Sequence, residues 1–154
     1  MIQVSKPFPE DKLDLIWKWL NVYDVQTLDD YSPQSLEQLR EKYAGAVSYA
    51  VYNGRPEPLG AIWFDHLGDG MYSGHLVFER RALDRTDIRK SVEDSMADLF
   101  KDGRKVYWQF LADNRVFRIF LQRIGAKREG LLAQATRRKG ELVDLEIMAS
   151  FPKG

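Results

Sequence analysis

A chain of 154 residues, of which 44% are hydrophobic and 30% charged, has the size and composition of one globular domain, which excludes a disordered protein. The absence of cysteine excludes a disulfide framework, a thiolate zinc site and a cysteine nucleophile. Net charge is zero, but residues 80–154 carry 17 Lys and Arg against 11 Asp and Glu. This basic half leaves open a phosphorylated ligand, nucleic acid or an ordinary solvated surface.

The first half of the chain predicts one short strand, two amphipathic helices and three further strands. Ser32-Pro33 is typical of an N-cap followed by proline in the first turn of the second helix. Alternating apolar runs separated by Asn53-Gly54 and Gly68-Asp69-Gly70 predict an antiparallel meander. The predicted elements are a strand at 2–5, a helix at 10–21, a helix through Leu36, Leu39 and Tyr43, and strands at 47–51, 59–64 and 71–78.

The second half predicts two more helices that alternate with strands. Helical spacing from Ile88 to Leu99 and from Val116 to Ile124 is followed by Gly103 and Gly125 respectively. Strands are predicted at 106–111, 128–137 and 141–150, with a Lys139-Gly140 turn between the last two. A strand–helix–strand unit over 71–111 implies a parallel pair. The order is βααβββαβαββ, which indicates one mixed α/β domain over residues 1–154.

Residues 114–148 carry a resemblance to a known family. Asn114 and Gly125 keep a spacing common in the GCN5-related N-acetyltransferases (GNATs). Arg128-Glu129-Gly130, Lys139-Gly140 and Asp144 resemble the final hairpin of the ribosomal-protein N-terminal acetyltransferase branch. Together with the element order, these motifs make the whole chain similar to the GNAT superfamily, and the resemblance implies the acyl-CoA N-acyltransferase fold.

The resemblance also implies an activity and a cosubstrate. In this family, acetyl-CoA donates an acetyl group to an amine, and its thioester enters a gap where two parallel strands splay apart. Unpaired main-chain amides in such a gap hold the pantetheine arm and the developing oxyanion. The strands correspond to residues 71–79 and 104–111, and the resemblance assigns cofactor binding to Val77, Phe78 and Asn114.

The chain departs from the family in its pyrophosphate loop. The family pattern Arg/Gln-x-x-Gly-x-Gly/Ala is replaced by residues 79–87, which contain no glycine. We expect Asp84 or Thr86 to cap the following helix, with Asp84 and Asp87 as a box-like pair that favours the helix over a bound diphosphate. Arg81 and Arg85 would compensate for the missing glycines by attracting the diphosphate with their charge, and we assign both to cofactor binding. Two family aromatics are also replaced, the proton-donating tyrosine by Leu121 and a packing phenylalanine by Ala126.

Acyl transfer to an amine needs a base, and the fourth strand offers two candidates. Glu79 ends this strand and His75 lies four residues earlier on the same face, so we assign both as catalytic candidates. Asp65 and His66, which end the third strand, are further candidates. The alternative for each is structural, with His75 as a half-buried sheet residue and the carboxylates as solvated strand ends. The strand aromatics Trp63, Tyr72, Tyr107, Trp108 and Phe110 are expected to be core.

Two functions stay open at this point. The first is an N-acyltransferase whose partners are acetyl-CoA and an amine of a protein or small molecule. The second is a catalytically inactive binding or structural protein of the same fold, such as those that viruses encode, which the missing glycines favour. No apolar run is long enough for a membrane span and no export signal is found, so we expect a cytoplasmic protein. We expect no metal site and no nucleic acid partner. The Arg137-Arg138-Lys139 tip is interpreted as a charged turn, and a homodimer stays open.

Overall fold

The computed structural model describes residues 2–22, 29–79 and 85–153. Within these residues it contains seven strands and four α-helices in the predicted order. The elements are β1 (Gln3–Ser5), a 3-10 turn (Glu10–Lys12) leading into α1 (Leu13–Val22), α2 (Leu36–Tyr43), β2 (Val47–Tyr52), β3 (Gly60–Gly68), β4 (Met71–Phe78), α3 (Thr86–Leu99), β5 (Lys105–Leu111), α4 (Arg115–Arg123), β6 (Lys127–Arg138) and β7 (Glu141–Ser150).

The strands form one mixed sheet in the order β1-β2-β3-β4-β5-β7-β6. Neighbouring strands are antiparallel except β4 and β5, which are parallel. The predicted meander and the predicted parallel pair are therefore confirmed. The turns Asp69-Gly70 and Lys139-Gly140 have positive φ at both residues, between 52° and 81°, as two-residue hairpins require.

Helices cover both faces of the sheet. On one face, α1 and α2 bury Ile16 and Leu39 in a cluster that contains Trp63 and Val77 of the central strands. On the other face, α3 and α4 pack on a larger cluster that contains Trp108. Because side chains alternate along a strand, successive residues of β4 and β5 face different helical layers. No helix in the described part of the chain is long and apolar enough to cross a membrane.

Two local predictions are corrected by the structure. The N-cap of α2 is Ser35, whose Oγ accepts the N–H of Gln38 at 3.1 Å, and the predicted cap Ser32 instead donates its hydroxyl to Asp29. Ser35 is the cap because it directly precedes the first apolar residue of the helical stripe. Asn53-Gly54 begins a longer loop, residues 53–59, and does not close a two-residue hairpin.

Asp98 fastens the C-terminal part of α3 to the sheet. Its Oδ2 accepts the hydroxyl of Tyr49 at 2.7 Å, and this hydrogen bond, followed by that of Lys101, lowers the pKa of Asp98. A folded-state pKa below the unfolded value stabilises the fold at neutral pH, and this contribution is lost as the pH falls through the folded pKa. We therefore expect D98N to lower the free energy of unfolding at neutral pH and to lower it less at about pH 3. Urea unfolding of both proteins at the two pH values measures this, and an equal loss at both would contradict it.

Candidate active site

Strands β4 and β5 separate after a short paired segment. Their parallel pairing covers Met71–Ser73 and Lys105–Tyr107 and ends at the pair formed by Ser73 and Tyr107. β4 stays paired with β3 as far as Phe78, and β5 stays paired with β7 as far as Leu111. The sheet therefore opens near its middle, between residues 74–78 and 108–111.

The alternation of the hydrogen-bond ladder decides which main-chain groups face this gap. The N–H of Glu79 donates to Leu59 on the β3 side at 2.8 Å, so the odd-numbered residues of β4 direct their main-chain groups to β3. The carbonyl of Gly70 accepts the N–H of Arg104 on the β5 side, as the same alternation requires of even-numbered residues. Beyond the last pair, the main-chain groups that face the gap are those of Leu76 and Phe78.

This alternation decides which of the two strand residues assigned to the cofactor directs its amide into the gap. Phe78 presents its N–H to the gap, and its ring is buried in the α3/α4 cluster. Val77 presents its main-chain groups to β3, and its side chain is buried in the α1/α2 cluster. Leu76 was not predicted as a cofactor residue from the sequence. Which residues of β4 face the gap depends on the register of β4 with β3, and only the structure gives that register.

Trp108 packs at the point where the two strands diverge. A Cβ at Gly74 would lie 2.6 Å from the indole ring, so only glycine leaves room for it. The side chain is fully buried, and its Nε1–H donates to Ser150 Oγ at 3.0 Å. Trp63 and Phe110 are also buried, which confirms their prediction as core residues.

His75 lies next to Gly74 and forms a close pair with Asp65. The His75 Nε2 is 2.9 Å from Asp65 Oδ2 and 3.4 Å from Ser73 Oγ. Its ring stacks on Trp63 with centroids 5.3 Å apart and an interplanar angle of 17°. The antiparallel register creates this arrangement, because it sets Trp63 opposite His75 and Asp65 opposite Ser73. The side chain of His75 is 30% exposed, so the pair is open to solvent.

The other candidates for a base lie apart from this pair. Glu79 directly follows β4 at the open end of the gap, and it is exposed. His66 contacts Tyr72, with ring centroids 5.0 Å apart. No group of three metal-ligating side chains is found among the residues that the structure covers.

The N-terminus of α3 is built differently from the prediction. Its N-cap is Arg85, which provides no side-chain cap, and Thr86 is the first helical residue, so Thr86 is not the predicted cap. Both carboxylate oxygens of Asp87 accept hydrogen bonds from the Arg85 guanidinium, at 3.1 and 2.7 Å. The charge of Arg85 is therefore partly offset. Arg81 and Asp84 lie outside the described residues.

Asn114 joins the end of β5 to the start of α4. Its Oδ1 accepts the N–H of Phe117 at 3.1 Å, and the residue is 6% exposed. This side chain therefore caps the helix with its oxygen, while its Nδ2 is a separate donor. Leu121, which stands where the resemblance places a tyrosine, is fully buried in α4 and carries no ionisable proton.

A short segment before α2 reaches across to the β6–β7 hairpin. The Asp30 carboxylate accepts the N–H groups of Lys139 and Gly140 at 2.6 and 2.8 Å. Thr136 Oγ1 donates to Asp29 Oδ2 at 2.6 Å. These contacts connect the segment before α2 to the edge of the sheet that β6 forms. They give the tip of the hairpin a structural role.

Comparison with known proteins identifies this architecture. No family model and no curated protein matches the sequence. A candidate phosphinothricin N-acetyltransferase matches with a TM-score of 0.83 and 11% identity over 100% of both chains. The spermidine N-acetyltransferase of Vibrio cholerae, solved with CoA and spermine, matches with a TM-score of 0.81 and 13% identity over 97% of this chain and 95% of its own. The chain has the GNAT fold.

The GNAT fold confirms the fold class predicted from the sequence. A candidate acetyltransferase of Acinetobacter baylyi agrees, with a TM-score of 0.81 and 14% identity over 99% of this chain and 93% of its own. At these identities the likeness extends to the fold alone. The resemblance to the ribosomal-protein branch of the GNATs therefore stays a prediction.

Proposed function

We propose that this protein is an N-acyltransferase that transfers the acetyl group of acetyl-CoA to an amine. The observation that carries the proposal is the divergence of β4 and β5 beyond Ser73 and Tyr107. It leaves the N–H groups of Leu76 and Phe78 directed into an open gap. Fixed amide donors stabilise the negative charge that develops on a thioester oxygen during acyl transfer.

The residues around the gap fit acetyl-CoA in part. Leu76 and Phe78 would hold the pantetheine arm and thioester, and Asn114 Nδ2 would donate to the same arm. When bound, acetyl-CoA supplies an activated carbonyl and a thiolate leaving group. We replace Val77 by Leu76 in this role because the amide of Val77 faces β3. Arg85 and the N-terminus of α3 would meet the diphosphate, whose negative charge the helix end favours. Arg81 stays a prediction.

A second function is favoured by one observation. The ion pair of Arg85 with Asp87 places a carboxylate where a diphosphate would bind. A catalytically inactive binding or structural protein with this fold would tolerate that pair. The amine acceptor of an active enzyme stays open between proteins and small molecules, and the homodimer and the absence of a nucleic acid partner stay predictions.

Calorimetric titration with acetyl-CoA tests the proposal, together with an assay for released CoA thiol on a panel of primary amines and peptides. We expect saturable binding by the wild-type protein and acetyl transfer to at least one class of amine. The N114D variant keeps a good N-cap, because aspartate caps as well as asparagine, and its melting temperature shows what burial of the added charge costs. It exchanges the Nδ2 donor for a negative charge, so we expect its acetyl-CoA affinity to fall by about tenfold or more.

The outcomes separate the two candidate functions. If millimolar acetyl-CoA produces neither heat nor a thermal shift in the wild-type protein, the transferase proposal is wrong. If acetyl-CoA binds but no amine is acetylated, the inactive binding protein is favoured. Equal affinity of N114D and wild type would remove Asn114 from the cofactor site.

A further inference from the structure

We infer that Asp65 and Trp63 are positioning residues that hold the His75 imidazole as the base of the reaction. This inference rests on the proposed function. It starts from the 2.9 Å contact between His75 Nε2 and Asp65 Oδ2 and from the stacking of the His75 ring on Trp63. The three residues lie on two strands, so no motif in the sequence links them.

The contacts fix the position of the imidazole and its tautomer. A carboxylate accepts only, so Asp65 selects the tautomer that carries its proton on Nε2. The other ring nitrogen, Nδ1, then has a lone pair, and it receives no hydrogen bond from the residues described. A carboxylate that orients a histidine through one ring nitrogen leaves the other nitrogen free to accept a proton, which is the arrangement of a general base.

Trp63 gives the ring a rigid platform. It is 5% exposed and packs on Tyr43 of α2 with ring centroids 5.3 Å apart. Its own Nε1–H has no hydrogen-bond partner among the described residues, so packing alone holds the indole in place. An indole face attracts a cation, so Trp63 would support His75 once the ring is protonated.

The location of His75 matches the proposed path of the thioester. The residue stands between Gly74, where β4 leaves β5, and Leu76, whose amide faces the gap. Its side chain lies on the α1/α2 face of the sheet and is accessible to solvent. Glu79 lies four residues further along, about 13 Å at the rise of a strand. His75 is therefore the candidate base that is both held by neighbours and next to the point of divergence.

The proton balance of the step is simple. An acceptor ammonium gives one proton to His75 Nδ1, and the free amine attacks the thioester carbonyl. The C–N bond forms, the C–S bond breaks, and the electron pair of the C–S bond leaves with sulfur. The second proton lost by nitrogen ends on the CoA sulfur, and His75 returns its own proton to water. The products are the amide, CoA thiol and one released proton.

The test is a double-mutant cycle with D65A, H75Q and the combined variant, assayed for acetyl transfer with the acceptor found for the wild type. We expect D65A to lower kcat about 10- to 100-fold with unchanged acetyl-CoA affinity. In the H75Q background, D65A should have no further effect, because a positioning residue acts only through the group that it positions. D65N keeps the shape of the side chain and guards against a folding defect, and it should also lower kcat.

A spectroscopic measurement accompanies the cycle. In the wild-type protein, nitrogen NMR of the imidazole should show the tautomer with its proton on Nε2, and D65A should lose the preference for that tautomer. D94A is the matched control: it removes an exposed aspartate that pairs with Lys90 on α3, and it should change neither the signal nor kcat.

Each failure has a distinct meaning. A wild-type protein that acetylates no amine overturns the proposed function. An active wild type with a fully active D65A, or a D65A effect that persists in H75Q, overturns the role of Asp65 while leaving the transferase intact.

Discussion

Replacing Gly74 with alanine is expected to destabilise the fold by about 1–3 kcal/mol and to abolish most of the acetyl transfer. The added Cβ would lie 2.6 Å from Trp108 Cζ3 and 2.8 Å from two further ring atoms, which is closer than van der Waals contact allows. The ring has little room to move because it is fully buried and hydrogen bonded to Ser150. Relief of the clash must therefore shift β4 or the indole where the sheet opens.

Gly130 provides the matched control for this substitution. It lies in β6, and a Cβ there meets nothing within 4 Å. We expect G130A to unfold in urea close to the wild-type midpoint and to keep its transfer activity. If G74A unfolds at the same midpoint as G130A, Trp108 does not fix the point of divergence, and the packing described for the gap is wrong.

Replacing His75 with glutamine is expected to lower kcat by about 100- to 10,000-fold, the usual contribution of a positioned general base. Glutamine has a comparable reach and stays polar, but it cannot accept the proton of an ammonium group. Acetyl-CoA affinity should change little, because the proposed cofactor contacts come from main-chain groups of Leu76 and Phe78 and from Asn114. Steady-state release of CoA thiol and calorimetry measure the two quantities separately.

E79Q distinguishes the two candidate bases. We expect this variant to keep most of the wild-type kcat, because Glu79 is exposed beyond the end of β4. A large loss in E79Q together with an active H75Q would transfer the role of base to Glu79. That result would also remove the basis for Asp65 and Trp63 as positioning residues.

The sequence was sufficient to predict the order of elements and the fold. Helical and strand periodicities are local, and Gly125 marks the end of α4 within the same stretch of chain. The incorrect cap of α2 shows the limit of such signals. Ser32 and Ser35 both suit an N-cap, but Ser32 is engaged with Asp29, which accepts a hydrogen bond from Thr136 of a distant hairpin.

The candidate site was predicted less completely because it depends on register. His75 and Asp65 were recognised as separate candidates, but their contact requires the pairing of β3 with β4, which a bulge between His66 and Gly68 interrupts near the turn. The same register decides that Leu76, and not Val77, presents its amide to the gap. A long-range pairing of this kind leaves no local pattern in one sequence.

The most direct test of the account is amide hydrogen exchange along β4, measured by NMR with and without acetyl-CoA. The amide of Val77 faces β3 and should be protected in both states. The amides of Leu76 and Phe78 should exchange faster than that of Val77 in the free protein and become protected when acetyl-CoA binds. Equal protection of the three amides in the free protein, unchanged by acetyl-CoA, would mean that β4 is paired on both sides, and it would contradict the proposed acyl-transfer site.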